Sequence, residues 1–407
     1  MTYNLFKLVL KKINLGILIL IPLGLFFREH WNSKLLIVFF CISIFLYSKE
    51  LQKNFLFLIK QFWYRLLLLL LAFCLISLSY SENPIYGLNR ISFVFLIIVF
   101  PVFLMSLKRE KIISKRTLFI MSSLALTHAS IIVLKLGYYY FKGLSLLDIY
   151  KEYGYLKFEY IFGFSGINGM YYSMILIFCY YIVINSLKER IRDYNVFFVL
   201  TITIISSLTV FFILLLTDVK IAYATITMVL IYSLYSLRLN RLIKILILVL
   251  MTLSVVYKTV ISPSPRINRF IEIGDPTRIN NYKSSLEVIL NNPIIGVGLG
   301  DELSEIQKVR FDSFIVKNKY NAHNQFIEIT LGLGLVGLVL FVWFLCLCFS
   351  IAIKNKDHSF IIFLLLISCY FMIESILVRH YGVLFVCFFL SFFLVLNQID
   401  PNQIKHK

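Results

Sequence analysis

Residues 325–353, QFIEITLGLGLVGLVLFVWFLCLCFSIAI, form one apolar run of 29 positions with glycines at 332, 334 and 337. A helix needs about 20 such residues to cross about 30 Å of hydrocarbon, so this stretch is long enough to span a bilayer. Comparable runs lie near 13–27, 34–48, 62–80, 91–107, 117–140, 168–187, 196–217, 219–237, 242–261, 360–377 and 383–397. The whole 407-residue chain is 60% hydrophobic and only 15% charged, with a mean hydropathy of +0.86. A water-soluble fold of that composition would aggregate. The expectation is an all-α protein, a polytopic transmembrane helical bundle of about 12 spans that forms a single integral membrane domain over residues 1–407.

The formal net charge is +19. Spread over a soluble surface it would suggest nucleic acid, but here the basic residues sit in short clusters between apolar runs, a pattern of membrane topology that argues for no nucleic-acid partner. Loops on one side carry Lys7, Lys11, Lys12, Lys49, Lys53, Lys60, Lys108, Arg109, Lys111, Lys115, Arg116, Lys188, Arg190 and Arg192. The same side continues with Arg238, Arg241, Lys244, Lys354, Lys356, Lys405 and Lys407. Against these 21, the short loops of the other side hold about eight. By the positive-inside rule both termini are cytoplasmic and the bilayer is a partner in its own right.

All seven cysteines lie inside apolar runs, with no Cys-x-x-Cys pair, and read as small core hydrophobes. No small-residue cleavage site follows the first apolar run before Arg28, so that run reads as a first membrane helix and not a removable signal.

With this orientation, residues 262–322 emerge on the outer side between spans 9 and 10. They form the one long polar stretch, and loops of that length in compact proteins are commonly functional. A second outer loop, 141–167, contains Tyr150, Tyr153, Tyr155 and Tyr160, which read either as an interfacial aromatic belt or as a sugar-stacking surface. Within the long loop, Asp275-Pro276-Thr277 is a helix-start signal, and Asn292-Pro293 followed by Gly296, Gly298 and Gly300 ends the helix in a tight turn. Arg278 thus falls in a first helical turn, where a guanidinium opposes the helix dipole and a bound anion would relieve the conflict; a plain solvated arginine is the other reading. Asn321-Ala-His323-Asn324 stands where the chain re-enters the membrane. Asp301, Glu302 and Glu305 read as a solvated helix start, with no carboxylate cluster of metal-site type.

These residues resemble a known family. His323-Asn324, nine residues, then Gly334-Leu-Val-Gly337 is similar to the H-N-x9-G-x-x-G pattern of O-antigen ligases and related bacterial polymerases and protein glycosylases. Arg278 with Pro293-Ile-Ile-Gly296-Val-Gly298 resembles the R…P-x-x-G-x-G segment before it. The resemblance implies a transferase in the bacterial inner membrane that moves a glycan from an undecaprenyl-pyrophosphate carrier to an acceptor, such as lipid A core, at the periplasmic face. It implies that residues 262–322 form part of the active site, that the histidine acts on the acceptor and arginines bind the pyrophosphate. It also implies inversion without a metal or any other cofactor. An O-antigen or exopolysaccharide polymerase, which uses a growing glycan as substrate, is the alternative; a polysaccharide transporter fits less well, because no internal repeat relates the two halves.

The sequence departs from the family at one place. Ligases have a Ser-Arg pair opening the helix after the seventh span, where this chain has Asp218-Val-Lys220. Lys220 keeps the charge but lacks the bidentate fork, so it is either a phosphate contact or a snorkelling lysine paired with Asp218. Glu374 and Arg379 flank the last outer turn, either as substrate-binding groups or as a structural pair. The candidate set is therefore His323 and Arg278 as catalytic residues, with Lys220, Asn324, Arg379, Glu374, Gly296 and Gly298 around the substrate.

Overall fold

A computed structural model describes residues 2–27, 29–143, 168–189, 196–217, 219–236, 276–310 and 320–398. Among these residues there are thirteen α-helices and no strand. They are α1 (Thr2–Gly24), α2 (Glu29–Ile59), α3 (Phe62–Ser77), α4 (Pro84–Arg109), α5 (Lys115–Phe141), α6 (Gly169–Glu189) and α7 (Val196–Thr217). The others are α8 (Lys220–Ser236), α9 (Pro276–Asn291), α10 (Glu302–Lys308), α11 (Gln325–Lys354), α12 (His358–Phe371) and α13 (His380–Leu396), with a 3₁₀ turn at Ile376–Val378.

The apolar runs expected to be helical are so, except that 360–377 leaves the helix after Phe371, and apart from 242–261, which lies outside the described residues along with Asp218, the four outer-loop tyrosines and residues 262–275 and 311–319. Among the described residues, five helices are long and apolar enough to cross a membrane: Trp31–Ile59 within α2, then α4, α5, α6 and α11. Shorter apolar helices are α3, Thr201–Thr217, Lys220–Ser233, α12 and α13.

Two helices sit at the centre. From Tyr171 to Val183 in α6, and from Tyr381 to Val395 in α13, every residue is buried, the mark of a helix packed on all sides. Their shared core is aromatic: Phe178 of α6 makes edge contacts with Phe363 of α12 and with Phe385, Phe389 and Phe393 of α13, at centroid distances of 4.9–6.1 Å. α4 lies against α13, and α5 and α7 against α6.

The two ends of the bundle differ. One end is closed by ionic and capping contacts: Lys11 and the Tyr47 hydroxyl both bond Glu110, and the Lys108 ammonium donates to the carbonyls of Val395, Leu396 and Gln398, the last turn of α13 and its exit. The other end gathers the starts of α4, α6, α11 and α13 and the whole of α9 and α10.

That second end is organised by a break in α11. Gly334 has φ 61° and ψ −164°, so the helical ladder stops there and leaves backbone groups to be paired. The Pro293–Gly298 segment supplies the partners: Val297 N and Gly298 N donate to the carbonyls of Leu331 and Gly332 at 2.8 and 3.0 Å, while Leu335 N and Val336 N donate to the carbonyls of Pro293 and Ile294 at 2.9 and 3.2 Å. A Cβ on Gly334 would stand 2.3 Å from the Ile294 carbonyl, and one on Gly296 2.5 Å from the Leu331 oxygen, so backbone meets backbone with no room for a side chain.

Here the structure corrects one expectation. Asp301 and Glu302 are buried, each 2% exposed, and not a solvated helix start. Asp301 accepts from Glu82 N, Asn83 N and the Asn83 amide at 2.7–3.0 Å, which fastens the segment to the start of α4. Glu302 accepts from Gly300 N at 2.9 Å. These carboxylates are taken up by backbone N–H groups, most of them far away in sequence.

Candidate functional site

The site is built where α11 begins. Asn324 is its N-cap: the side-chain oxygen accepts from Phe326 N and Ile327 N at 2.9 and 3.1 Å, and its amide donates to the Met372 carbonyl at 3.0 Å. The residue before the cap, His323, is one of the few non-glycine residues with positive φ (50°), a sparsely populated conformation for a histidine. Asn321 supports it by accepting from His323 N at 3.1 Å. The turn thrusts the imidazole away from α11 and toward the segment between α12 and α13.

There the ring meets Glu374. His323 Nδ1 lies 3.0 Å from Glu374 Oε2, with the two side chains 23% and 12% exposed. The opposite ring nitrogen, Nε2, has no hydrogen bond among the described residues. Tyr320 leans over the same ring, at a centroid distance of 5.5 Å. Among the described residues no ion pair joins Glu374 to Arg379; the glutamate's hydrogen-bond partner is the histidine. Arg379 is exposed at the entrance to α13.

Tyr171, near the start of α6, is a residue that sequence reasoning missed. Its hydroxyl is buried with no hydrogen-bond partner among the described residues, and it lies in the electrostatic reach of both Glu374 and Arg379. Gly169, two residues earlier, packs so closely on Thr217 that a Cβ would stand 3.2 Å from that side chain. Thr217 precedes α8 by three residues, so Lys220, exposed in its first turn, belongs to this end of the bundle.

Arg278 sits in the first turn of α9, as the helix-start signal predicts. One turn on, buried Asn281 accepts from Arg310 Nη2 at 2.8 Å. Further along α9, Val288 joins a small core with Ile306, Ala322 and Leu331, which ties the helix to the residue beside His323. Gly296 and Gly298 contribute through backbone geometry, both at positive φ in the segment that pairs with α11.

A second layer lies beneath the imidazole. Glu328, one turn into α11, pairs with Arg90 of α4 at 3.3 Å, both side chains under 10% exposed. Beside them, burial pushes the Glu302 carboxyl up to about 7; the Arg90 guanidinium works against this and Glu328 with it. No group of three or more metal-ligating side chains occurs among the described residues.

A polar pair thus stands at the end of an apolar bundle, beside a kinked helix that begins with His-Asn and a glycine segment laid into that kink. Residues 160–342 match the family model described as O-antigen ligase. No curated protein matches the chain. The matched stretch takes in Lys220, Arg278, Gly296, Gly298, His323, Asn324 and Glu328, and leaves Arg90, Glu374 and Arg379 in the flanking helices. It supports a function of the O-antigen ligase and polymerase type, and with the membrane-length helices it indicates an integral bacterial membrane protein.

Proposed function

We propose that this protein is a metal-independent, inverting glycan ligase that acts at the periplasmic face of the inner membrane. It would take a glycan from undecaprenyl pyrophosphate and join it to a hydroxyl of an acceptor such as lipid A core. The observation that carries the reading is the His323–Glu374 hydrogen bond. With the carboxylate accepting from Nδ1–H, the lone pair of the imidazole is directed out through Nε2, the arrangement that a general base needs.

In the reaction, Nε2 takes the proton of the acceptor hydroxyl as its oxygen attacks the anomeric carbon. The bond from that carbon to the pyrophosphate oxygen breaks on the opposite face, and its electron pair leaves with the diphosphate. Arg278, with Lys220 or Arg379, neutralises that growing charge; removing one such contact typically costs about 10²–10³ in rate. One displacement inverts the anomeric centre, and no step calls for a metal.

About twelve spans, cytoplasmic termini and an outer 262–322 loop complete the reading. Its support is the ionic closure at one end of the bundle, where Lys11, Lys108 and Arg109 gather, and the separation of that end from His323. The test is incubation of purified full-length protein with a lipid-linked oligosaccharide and either lipid A core or a second lipid-linked glycan. Glycan on lipid A core, lost with His323→Ala, is the expected result. Extension of the second carrier-linked chain would make the protein a polymerase, and no transfer to either would refute the proposal.

A further inference from the structure

The candidate pair is made by two separate segments, 320–324 and 372–378, and neither is a regular helix at the point of contact. Something must fix the distance between them. One carboxylate oxygen does so: Glu328 Oε2 accepts from Ala322 N at 3.1 Å and from the Ser375 hydroxyl at 3.2 Å. Ala322 is the neighbour of His323, and Ser375 the neighbour of Glu374. The other oxygen, Oε1, faces Arg90 Nη2. Two further side chains of the same helix start hold the second segment, Asn324 through the Met372 carbonyl and Gln325 by accepting from Leu377 N at 2.7 Å.

We infer that Glu328 is a positioning residue, a buried clamp anchored by Arg90 that sets the separation of His323 and Glu374. A buried ion pair is a poor source of stability, since apolar residues of the same volume often serve as well or better; what such a pair supplies in some proteins is a unique arrangement of the parts it joins. Here the parts are four: the α4 start, the α11 start and the two segments bearing the pair. The surrounding charges agree with this assignment. Arg90 faces two carboxylates, and Glu302, already bonded to Gly300 N, is the one whose environment favours the proton, which leaves Glu328 as the partner for the guanidinium. Arg310, buried and bonded to Asn281, adds positive potential from the other side. The Nε and Nη1 atoms of Arg90 have no hydrogen-bond partner among the described residues, so Glu328, with the Tyr86 ring 5.4 Å from the guanidinium, holds this side chain in place.

The inference rests on the proposed transfer reaction for its catalytic consequence but not for its structural one, and the two are separable. Full-length wild type, Glu328→Gln, Glu328→Met and Ser375→Ala would be purified and compared by amide hydrogen exchange and by steady-state transfer from a lipid-linked oligosaccharide. Glu328→Met should speed exchange in 320–324 and 372–378 together. It should also lower kcat by ~10²-fold with the donor KM unchanged, since a misplacement of about 1 Å at a reacting pair has that effect. Glu328→Gln keeps one oxygen for the two donors and should be the milder, as should Ser375→Ala, which cuts one arm. A purely structural residue would not separate kcat from KM in this way. Unchanged exchange in 372–378 with Glu328→Met, or an unchanged kcat, overturns the clamp. If wild type transfers nothing while Glu328→Met still loosens both segments, the transferase reading falls and the clamp stands.

Discussion

His323 Nδ1 and Glu374 Oε2 stand 3.0 Å apart although 51 residues separate them in the chain, so α11 and α12 intervene between the two halves of one polar pair. The glutamate meets the imidazole on the side away from the open Nε2. In the proposed reaction it orients the ring and stabilises the imidazolium that forms, without taking the proton itself.

Glu374→Gln should therefore retain the hydrogen bond but not the charge, and permit the wrong tautomer. Transfer should fall by ~10²-fold or more, while His323→Ala comes close to inactive. Both variants should be produced at wild-type levels, because each side chain is partly solvated. The check is the rate of transfer per mole of purified protein; equal rates for Glu374→Gln and wild type would remove the glutamate from the mechanism.

Gly334→Ala should be among the most damaging single-methyl changes in the chain. The new Cβ would stand 2.3 Å from the Ile294 carbonyl, and the residue would need a positive φ. Overpacking of this kind costs ~1–3 kcal/mol, and here the clashing partner is backbone that cannot rotate away. The measurement is thermal stability in detergent, with Gly143→Ala as a comparison, because that glycine also has positive φ but no described residue within 4 Å of its Cβ position. Equal losses would show that conformation and not close approach governs Gly334.

The helices were legible because the signal is local: apolar runs long enough to span a bilayer, broken by basic clusters. The Pro293–Gly298 pairing with α11 was half legible, since the glycines announced a tight backbone but not its partner. Asp301 and Glu302 misled for the same reason, as backbone N–H groups from residues 82–83 and from Gly300 pair with their carboxyl oxygens and leave no trace in the spacing of side chains. Glu328 did carry a signal, a carboxylate inside a membrane-length apolar run, which is a functional candidate by default. His323 and Glu374 were each singled out, but only the return of the chain through α11 and α12 brings them together.

Tyr171→Phe separates function from packing. The hydroxyl is buried without a partner among the described residues, so its removal should leave stability unchanged or slightly higher. If the hydroxyl meets substrate beside Glu374, transfer should slow by roughly 3–10-fold, the worth of one neutral hydrogen bond. A drop in melting temperature with unaltered turnover is the opposite pattern and would assign Tyr171 to the core.

Glu302 makes the stability of the fold depend on pH. Its folded carboxyl is raised from an ordinary 4.5 to about 7, so the folded state holds the proton more tightly than the unfolded chain does. Stability from this group is fully present below pH 4.5 and is lost as the pH rises through about 7, to a limit of ~3 kcal/mol. Glu302→Gln keeps the acceptor for Gly300 N and cannot ionise. Its melting temperature should be flatter than wild type between pH 5 and 9, and higher above pH 7. The physical cause is burial beside Glu328, offset in part by Arg90, so Arg90→Met should steepen the wild-type slope. A wild-type profile as flat as that of Glu302→Gln would mean that the carboxylate stays ionised, and that Arg90 serves Glu302 as much as Glu328.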